Sequence, residues 1–315
     1  MKGLEIAEKY YLEYGAPMIK EQFPELEGIL AVGLCGSGSE CNGYDDDLSR
    51  DHDFEPSFII FLPPEEVVDR RLAFRLERAY DKLPDEFMGL CRNKDVSFDT
   101  GRHGVVRAAD FFRAKVGDPE GELTLEKWLT IPEHYLLEAT NGKIFRDDLG
   151  IVKDVRKKLS YFPEDVRLKK LAAALMLAEQ ASNYNYERLL SRGDGAAAQL
   201  AVYEYVKEIL SVIFLLDKKY KPFYKWQFRA LNESATFASL REDLEGLIST
   251  GNSVGEAVEK RSRIRRINGT VMEEIRRQGL SDYDGLHLDS PAYCVTGKIT
   301  DPSIRNMHIM TGGEG

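Results

Sequence analysis

The sequence predicts an α+β protein in which a small mixed-sheet domain precedes an all-α helical bundle. The first half contains apolar runs of strand length, interleaved with amphipathic helices. From about residue 165 to residue 280, apolar residues recur every three or four positions, and no strand pattern occurs. We therefore expect an α/β domain over residues 1–150, a helical bundle over residues 151–285 and an irregular C-terminal segment over residues 286–315.

The α/β domain begins with an amphipathic helix that covers residues 1 to about 25 and ends at Pro24. A second helix, amphipathic and highly charged, is predicted for residues 67–83. The first predicted strand is a continuous apolar run, which is typical of a strand buried on both faces. The predicted strands are residues 29–34, 57–62, 96–98 and 105–106.

The helical half contains several amphipathic segments. Pro163 and the two acidic residues after it form a good helix start. Residues 199–217 are apolar on most sides, which is typical of the central helix of a bundle. A further helix is predicted around residues 237–247. Residues 254–278 form either one long helix or two helices that meet at Gly269, and the pattern leaves both alternatives open.

Composition limits the classes of function. The chain has 315 residues, enough for about two domains. Its formal net charge of −10 disfavours nucleic acid as a partner without excluding it, and also disfavours an anionic membrane surface. Apolar runs fall short of the ~20 residues that a membrane-spanning helix needs. The N-terminus carries glutamates where a signal peptide would be apolar.

The cysteines are scattered along the chain and form no CxxC pair, which predicts buried thiols in a reducing compartment. A cytoplasmic location is therefore expected. The four residues are Cys35, Cys41, Cys91 and Cys294.

The segment with the clearest chemistry joins a glycine-serine turn to a pair of acids. The first strand leads into Gly36-Ser37, where missing side chains and free N–H groups suit the approach of phosphate oxygens. Downstream, Asp51 and Asp53 are two positions apart, so in an extended segment both carboxylates share one face. Such a pair can hold divalent cations that also bind substrate phosphates. This combination suits phosphoryl or nucleotidyl transfer.

Other phosphate and metal motifs fit less well. No Lys-Ser/Thr pair follows at the offset of a P-loop, and Cys41 stands where a dinucleotide fingerprint needs glycine. An EF-hand loop would require glycine at Arg50 and glutamate at Pro56. A His-Asp phosphohydrolase would require a histidine upstream of His52. A flexible glycine turn followed by a solvated acidic loop remains the alternative.

A resemblance supports the phosphate interpretation. Gly36-Ser37, followed by Ser49-x-Asp51-x-Asp53 and an apolar strand, resembles the signature of the polymerase-β-like nucleotidyltransferase superfamily. Helical motifs of the second half resemble an uncharacterised bacterial family, in which a nucleotidyltransferase domain precedes a helical domain similar to the C-terminal half of kanamycin nucleotidyltransferase. These motifs are Tyr184-Asn185-Tyr186-x-Arg188, Arg192-Gly193, Ala197-Ala198-Gln199-Leu200-Ala201, Phe214-Leu215-Leu216 and Tyr220-x-Pro222-Phe223-Tyr224-Lys225-Trp226-x-x-Arg229-Ala230-Leu231.

The resemblance implies a Mg²⁺-dependent transfer of a nucleoside monophosphate from a nucleoside triphosphate, such as ATP, to a hydroxyl group, with two metal ions. Asp51 and Asp53 would hold the metal, while Gly36 and Ser37 would bind the triphosphate. The superfamily usually supplies a third carboxylate from a later strand, and Asp99 is the candidate here.

Two groups in the second half are candidates for binding. Lys225 and Arg229 are four positions apart and would share a helix face beside Trp226, where they could bind the triphosphate or an anionic acceptor. The aromatic and basic side chains of Tyr184, Tyr186 and Arg188 could line an acceptor pocket. A solvated face is the alternative for Lys225, and core packing is the alternative for the tyrosines.

We therefore expect a nucleotidyltransferase whose hydroxyl acceptor the sequence does not identify. The alternative is a catalytically weak nucleotide-binding or antitoxin-like interaction protein on the same fold. The third carboxylate distinguishes the two, since its loss would impair catalysis more than nucleotide binding.

Overall fold

The computed structural model describes residues 1–46, 55–92 and 103–313. The chain forms two compact units. The first comprises Met1–Thr124 and Ile131–Ser160, and the second comprises Leu125–Thr130 and Tyr161–Gly315. The predicted α+β class is confirmed, with a mixed sheet in the first unit and helices in the second. The chain leaves the first unit after Ser160, whereas the sequence placed the boundary near residue 150.

A four-stranded mixed sheet forms the centre of the first unit, in the spatial order β5-β2-β1-β6. The central strand β1 pairs antiparallel with both β2 and β6, and β2 pairs parallel with β5. Every residue of β1 and β2 is buried, as their continuous apolar sequences predicted. The four strands are β1 (Ala31–Leu34), β2 (Ile59–Leu62), β5 (Gly104–Arg107) and β6 (Lys143–Asp147). A separate hairpin-like pair is formed by β3 (Glu86–Phe87) and β4 (Leu90–Cys91).

Short helices accompany this sheet along the chain. They are α1 (Gly3–Tyr10), α2 (Ala16–Gln22), α3 (Arg70–Tyr80), α4 (Ala108–Val116), α5 (Leu125–Thr130), α6 (Glu133–Thr140) and α7 (Lys153–Lys158), of which α5 belongs to the second unit. A π-helical turn, Tyr11–Gly15, joins α1 to α2. The helix predicted for residues 67–83 begins only at Arg70, because the Asp69 carboxylate accepts a 2.7 Å hydrogen bond from the Leu72 amide and caps it.

The second unit is a helical bundle. Its further helices are α8 (Glu164–Glu179), α9 (Glu187–Ser191), α10 (Gly195–Leu216), α11 (Gln227–Leu231), α12 (Arg241–Ser249), α13 (Val254–Arg277), α14 (Asp289–Gly297) and α15 (Pro302–Arg305). Helix α10 is buried along most of its length, as expected for a central helix. Helix α13 runs unbroken through Gly269, so the alternative of two helices is wrong. Its start is a capping box formed by Ser253 and Glu256.

The prediction of an irregular C-terminal segment over residues 286–315 is wrong, because this segment contains two helices. It contains α14 and α15, both of which pack against α8. Pro and Asp residues are common in loops, but here they belong to the start of a helix. Pro302 lies in the first turn of α15, where its missing N–H costs nothing, and Asp301 caps that helix through the Ser303 amide.

The cysteine prediction is half right. Cys35 and Cys41 are buried, but Cys91 and Cys294 are exposed, and all four are free thiols. Cys91 lies in the short two-stranded pair and Cys294 on the outer side of α14, where the local packing leaves their side chains in contact with solvent. Within the described ranges, no helix combines the length and the apolar character needed to cross a membrane.

Candidate functional site

The Gly-Ser loop, which we define as residues 36–39, begins two residues after Leu34, where β1 ends. Gly36 has a φ angle of +119°, a conformation that side-chain-bearing residues rarely adopt. Gly36 is buried, whereas Ser37 is exposed. The sequence-predicted turn therefore brings a serine to the surface at the end of a buried central strand.

Asn141, in the turn between α6 and β6, holds the first residue of this loop. Its side-chain oxygen accepts a 2.9 Å hydrogen bond from the Gly36 amide, and its Nδ2 donates to the Gly36 carbonyl at 2.8 Å. Nδ2 also donates to Oδ1 of Asn42 at 2.9 Å. Since the Gly36 amide can only donate, the atom that faces it must be the oxygen of Asn141. This fixes the orientation of the side-chain amide.

Gly142 allows this close approach. A Cβ at this position would overlap the carbonyl oxygen of Leu34, the last residue of β1, and the φ angle of Gly142 is +69°. The Gly142 amide also donates to the Cys41 carbonyl at 2.9 Å. The dipeptide Asn141-Gly142 is thus packed directly against the start of the Gly-Ser loop.

Arg156, on α7, holds the same turn from the other side. Its guanidinium donates to the carbonyl oxygens of Thr140 and Asn141, at the C-terminal end of α6. A cation at this end of a helix is favoured by the helix dipole. Among the residues that the structure describes, the hydrogen-bond partners of Arg156 are these carbonyls and no carboxylate. Burial lowers the pKa of Arg156, but a guanidinium stays protonated in proteins.

Cys35 separates β1 from the Gly-Ser loop. Burial raises the pKa of its thiol to about 11, although Arg156 and Lys115 act in the opposite direction. The thiol is therefore protonated at neutral pH and acts as a packing group.

The backbone of the loop offers hydrogen-bond donors. The amides of Ser37, Gly38 and Ser39 make no hydrogen bond to another residue in the described part of the chain. The Gly38 carbonyl, in contrast, accepts a 3.3 Å hydrogen bond from Nδ2 of Asn42. Successive amides without a partner among the described residues are potential donors to a bound anion. The Gly36 amide itself is used by Asn141, so phosphate contacts from this loop would come from residues 37–39.

Two acids of the following segment have structural roles. Glu40 is buried, and its carboxylate lies against Gly38, 3.5 Å from the Ser39 hydroxyl. Asp45 accepts a 3.0 Å hydrogen bond from the Gly3 amide and lies 3.3 Å from Nζ of Lys2. Glu40 therefore contacts its neighbours in the loop, and Asp45 ties this segment to the start of α1.

The expected catalytic carboxylates, Asp51, Asp53 and Asp99, lie outside the described residues. In the described ranges, no group of three or more His, Cys, Asp or Glu side chains could hold a metal ion.

The described residues that flank these acids in the sequence lie at one end of the sheet. Glu55 precedes β2 and His103 precedes β5, and Oε1 of Glu55 is 2.9 Å from Nδ1 of His103. In the sheet, Gly33 near the end of β1 pairs with Ile59 at the start of β2.

The two basic residues predicted to share a helix face lie in different elements. Lys225 is exposed in the 3₁₀ turn Tyr224–Trp226, and its Nζ lies 5.2 Å from the centre of the Trp226 ring. Arg229 is partly buried in α11, which begins only at Gln227. The prediction that the two residues share a helix face is therefore wrong, because α-helical geometry starts after Lys225.

The predicted acceptor residues do not form one surface. Tyr184 and Tyr186 lie in a π-helical turn, Gln180–Tyr186, that continues α8. Tyr184 is exposed, and the guanidinium of Arg188 stacks on its ring and donates to its hydroxyl. Tyr186, however, is fully buried, and its hydroxyl donates to Oδ1 of Asn252 at 3.1 Å. Core packing, the alternative reading, therefore describes Tyr186.

Sequence reasoning missed three residues around the loop: Asn42, Asn141 and Arg156. The Asn-Gly pair at 141–142 is a turn signal before β6 and could have been noticed as such. Its contact with Gly36 spans 105 positions in the sequence, and local patterns carry no information about such a contact.

Comparison with protein families and curated proteins adds one finding. The family model described as "Domain of unknown function (DUF4037)" matches residues 128–227, less than half of the chain. The matched segment contains Asn141 and Arg156, whereas the Gly-Ser loop precedes it. No curated protein matches the chain.

Proposed function

We propose that this protein is a Mg²⁺-dependent nucleotidyltransferase, which moves a nucleoside monophosphate from a nucleoside triphosphate to a hydroxyl group. The observation that carries the proposal is the Gly-Ser loop. It offers three backbone amides without described partners at the end of the central strand. Amides grouped in this way suit the oxygens of a phosphate chain.

The order of the chain supports the same function. Asp51 and Asp53 precede β2 in the sequence, and β2 pairs with β1, the strand that leads into the loop. Carboxylates next to bound phosphates are the usual ligands of Mg²⁺. In the proposed site, Asp51 and Asp53 hold the metal, and Gly36 and Ser37 belong to the phosphate-binding loop.

The reaction joins the acceptor to the α-phosphorus. The acceptor oxygen forms a bond to this phosphorus, the bond to the α,β-bridging oxygen breaks, and pyrophosphate leaves. The hydroxyl proton passes to a general base, for which Asp99 is the candidate. Bound Mg²⁺ supplies charge neutralisation for the phosphate oxygens. The loop amides hold the phosphate chain so that the leaving group points away from the acceptor.

The double substitution Asp51→Ala with Asp53→Ala tests the proposal. We expect it to abolish the Mg²⁺-dependent thermal stabilisation by nucleoside triphosphates, together with any release of pyrophosphate, while the protein stays folded. Both effects follow from the loss of the metal ligands. The measurements are thermal shift with each of the four triphosphates, with and without Mg²⁺, and an assay of pyrophosphate.

A matched control removes two negative charges elsewhere in the same unit. Glu65 and Glu66 are exposed, and Glu65→Ala with Glu66→Ala should leave nucleotide stabilisation unchanged. If the Asp51/Asp53 variant keeps both stabilisation and turnover, the acid pair is not the metal site. Stabilisation of the wild type without turnover, across a panel of hydroxyl acceptors, would favour the nucleotide-binding or antitoxin-like alternative.

A further inference from the structure

Two asparagines face the carbonyl side of the Gly-Ser loop. Asn141 donates to the Gly36 carbonyl, and Asn42 donates to the Gly38 carbonyl. The two side chains are also bonded to each other, from Nδ2 of Asn141 to Oδ1 of Asn42. Together they form a connected row of side-chain amides along one side of the loop.

This row determines which way the loop amides point. The described chain contains no cis peptide bond, and in a trans peptide group the C=O and N–H bonds point in opposite directions. Because the Gly36 carbonyl points to Asn141, the N–H of Ser37 points away from it. For the same reason, the Gly38 carbonyl turned toward Asn42 directs the N–H of Ser39 away from Asn42.

We infer that Asn141 and Asn42 are positioning residues, which turn the amides of Ser37 and Ser39 away from the row of side-chain amides and keep them available to the phosphate groups of the substrate. This inference rests on the proposed function and identifies what prepares the phosphate site before the nucleotide binds. An amide fixed in the productive direction does not have to be reoriented during binding, and this raises affinity.

Arg156 keeps Asn141 in place. Its guanidinium binds the backbone carbonyl of Asn141 and that of the preceding Thr140. The backbone from which the Asn141 side chain extends is therefore fixed on one side by Arg156, and on the other by the contact of Gly142 with Leu34. The hydrogen bonds of Arg156 go to this turn and not to the loop, so Arg156→Lys should weaken the binding of Mg²⁺–ATP in the same direction as a substitution of Asn141, but by less.

The substitution Asn141→Asp tests the inference with almost no change in size. A carboxylate can still accept from the Gly36 amide, but it cannot donate to the Gly36 carbonyl or to Asn42. We expect the concentration of Mg²⁺–ATP that gives half-maximal thermal stabilisation to rise by about tenfold or more. The same increase is expected with Mg²⁺ and inorganic tripolyphosphate, which carries no base or sugar.

A second variant and a control complete the experiment. Asn42→Ala removes the hydrogen bond to the Gly38 carbonyl, at a partly exposed position. It should likewise raise the half-maximal concentrations of Mg²⁺–ATP and of Mg²⁺–tripolyphosphate. Asn306→Asp makes the same chemical change as Asn141→Asp at an exposed position of the second unit. It should leave both half-maximal concentrations unchanged. A purely structural role of the asparagines would lower the melting temperature without ligand, but would leave the half-maximal concentrations unchanged.

The outcomes separate this inference from the proposed function. If the wild type is stabilised and both asparagine variants keep its half-maximal concentrations, the inference is overturned while the proposed function stands. If neither Mg²⁺–ATP nor Mg²⁺–tripolyphosphate stabilises the wild type, and no other triphosphate does, both are overturned.

Discussion

Lys260 lies in the core of the second unit with neutral oxygens as partners. Its Nζ donates to Oε1 of Gln199 at 2.5 Å and to Oδ1 of Asn252 at 3.1 Å. Oδ1 of Asn252 also accepts from the Tyr186 hydroxyl. Burial lowers the pKa of the Lys260 ammonium group. One network therefore holds both Lys260 and Tyr186, and the sequence had offered Tyr186 as a candidate for an acceptor pocket, with core packing as the alternative.

The substitution Tyr186→Phe should reduce the free energy of unfolding by about 0.5–1.5 kcal/mol, because it removes one buried hydrogen bond and keeps the ring. Urea unfolding measures this change. Tyr184→Phe is the matched control, since the Tyr184 side chain is exposed, and its effect should stay within about 0.5 kcal/mol. Equal effects of the two substitutions would contradict the assignment of Tyr186 to the core.

Helices α12 and α13 are joined by the carboxylate of Asp243. It lies 2.6 Å from a guanidinium nitrogen of Arg266 and 3.1 Å from one of Arg263. Arg261 is paired with Glu187, at 2.7 Å. Arg261, Arg263 and Arg266 of α13 thus all form ion pairs with other elements.

Arg266, assisted by Arg263, holds the pKa of Asp243 below its ordinary value of 3.8. Because the pKa is lower in the folded protein than in the unfolded chain, the stability from this group is present above pH 3.8 and is lost as the pH falls through the folded-state value. We expect Asp243→Asn to cost about 1–3 kcal/mol at pH 7. The difference from the wild type should shrink as the pH falls below 3.8.

Urea unfolding at a series of pH values measures this dependence. Glu242→Gln serves as the control, because it neutralises the exposed neighbouring acid and should change stability by no more than about 0.5 kcal/mol throughout. If the free energies of unfolding of Asp243→Asn and the wild type instead differ by the same amount in acid as at pH 7, the carboxylate charge is not what joins the two helices.

At the scale of the whole molecule, the C-terminal segment completes the second unit. The Asp165 carboxylate of α8 accepts from the amides of Thr300 and Asp301, and Lys169 donates to the Met307 carbonyl at 2.9 Å. Glu179, at the other end of α8, accepts from the Leu288 amide at 2.8 Å. The C-terminal segment thus supplies a carbonyl partner for Lys169, which is fully buried.

Leu288→Ala should cost about 2–5 kcal/mol in the free energy of unfolding, because Leu288 is fully buried and its truncation leaves a cavity. Leu286→Ala makes the same change two residues earlier, at a side chain that is 43% exposed, and should cost about 1 kcal/mol or less. Urea unfolding compares the two variants. Similar small losses for both would mean that the segment after α13 adds little to the core of the bundle.

The sequence by itself determined the class of the fold and the elements with a strong local period. Continuous apolar runs identified β1 and β2, and the three- or four-residue period identified α8, α10 and α13, because each pattern is repeated within one element. It also identified the Gly-Ser turn at the end of β1. The chemistry assigned to that turn, and to Asp51, Asp53 and Asp99, stays a prediction.

Only the tertiary structure decided what surrounds these elements. It revealed that Asn141 reaches Gly36, that Tyr186 and Lys260 share a buried network, and that the last thirty or so residues pack on α8. Each of these facts is a contact between residues far apart in the chain. A short polar residue such as asparagine has the same local signature in a solvated turn as beneath a functional loop, since its role depends on the partner that the fold brings to it.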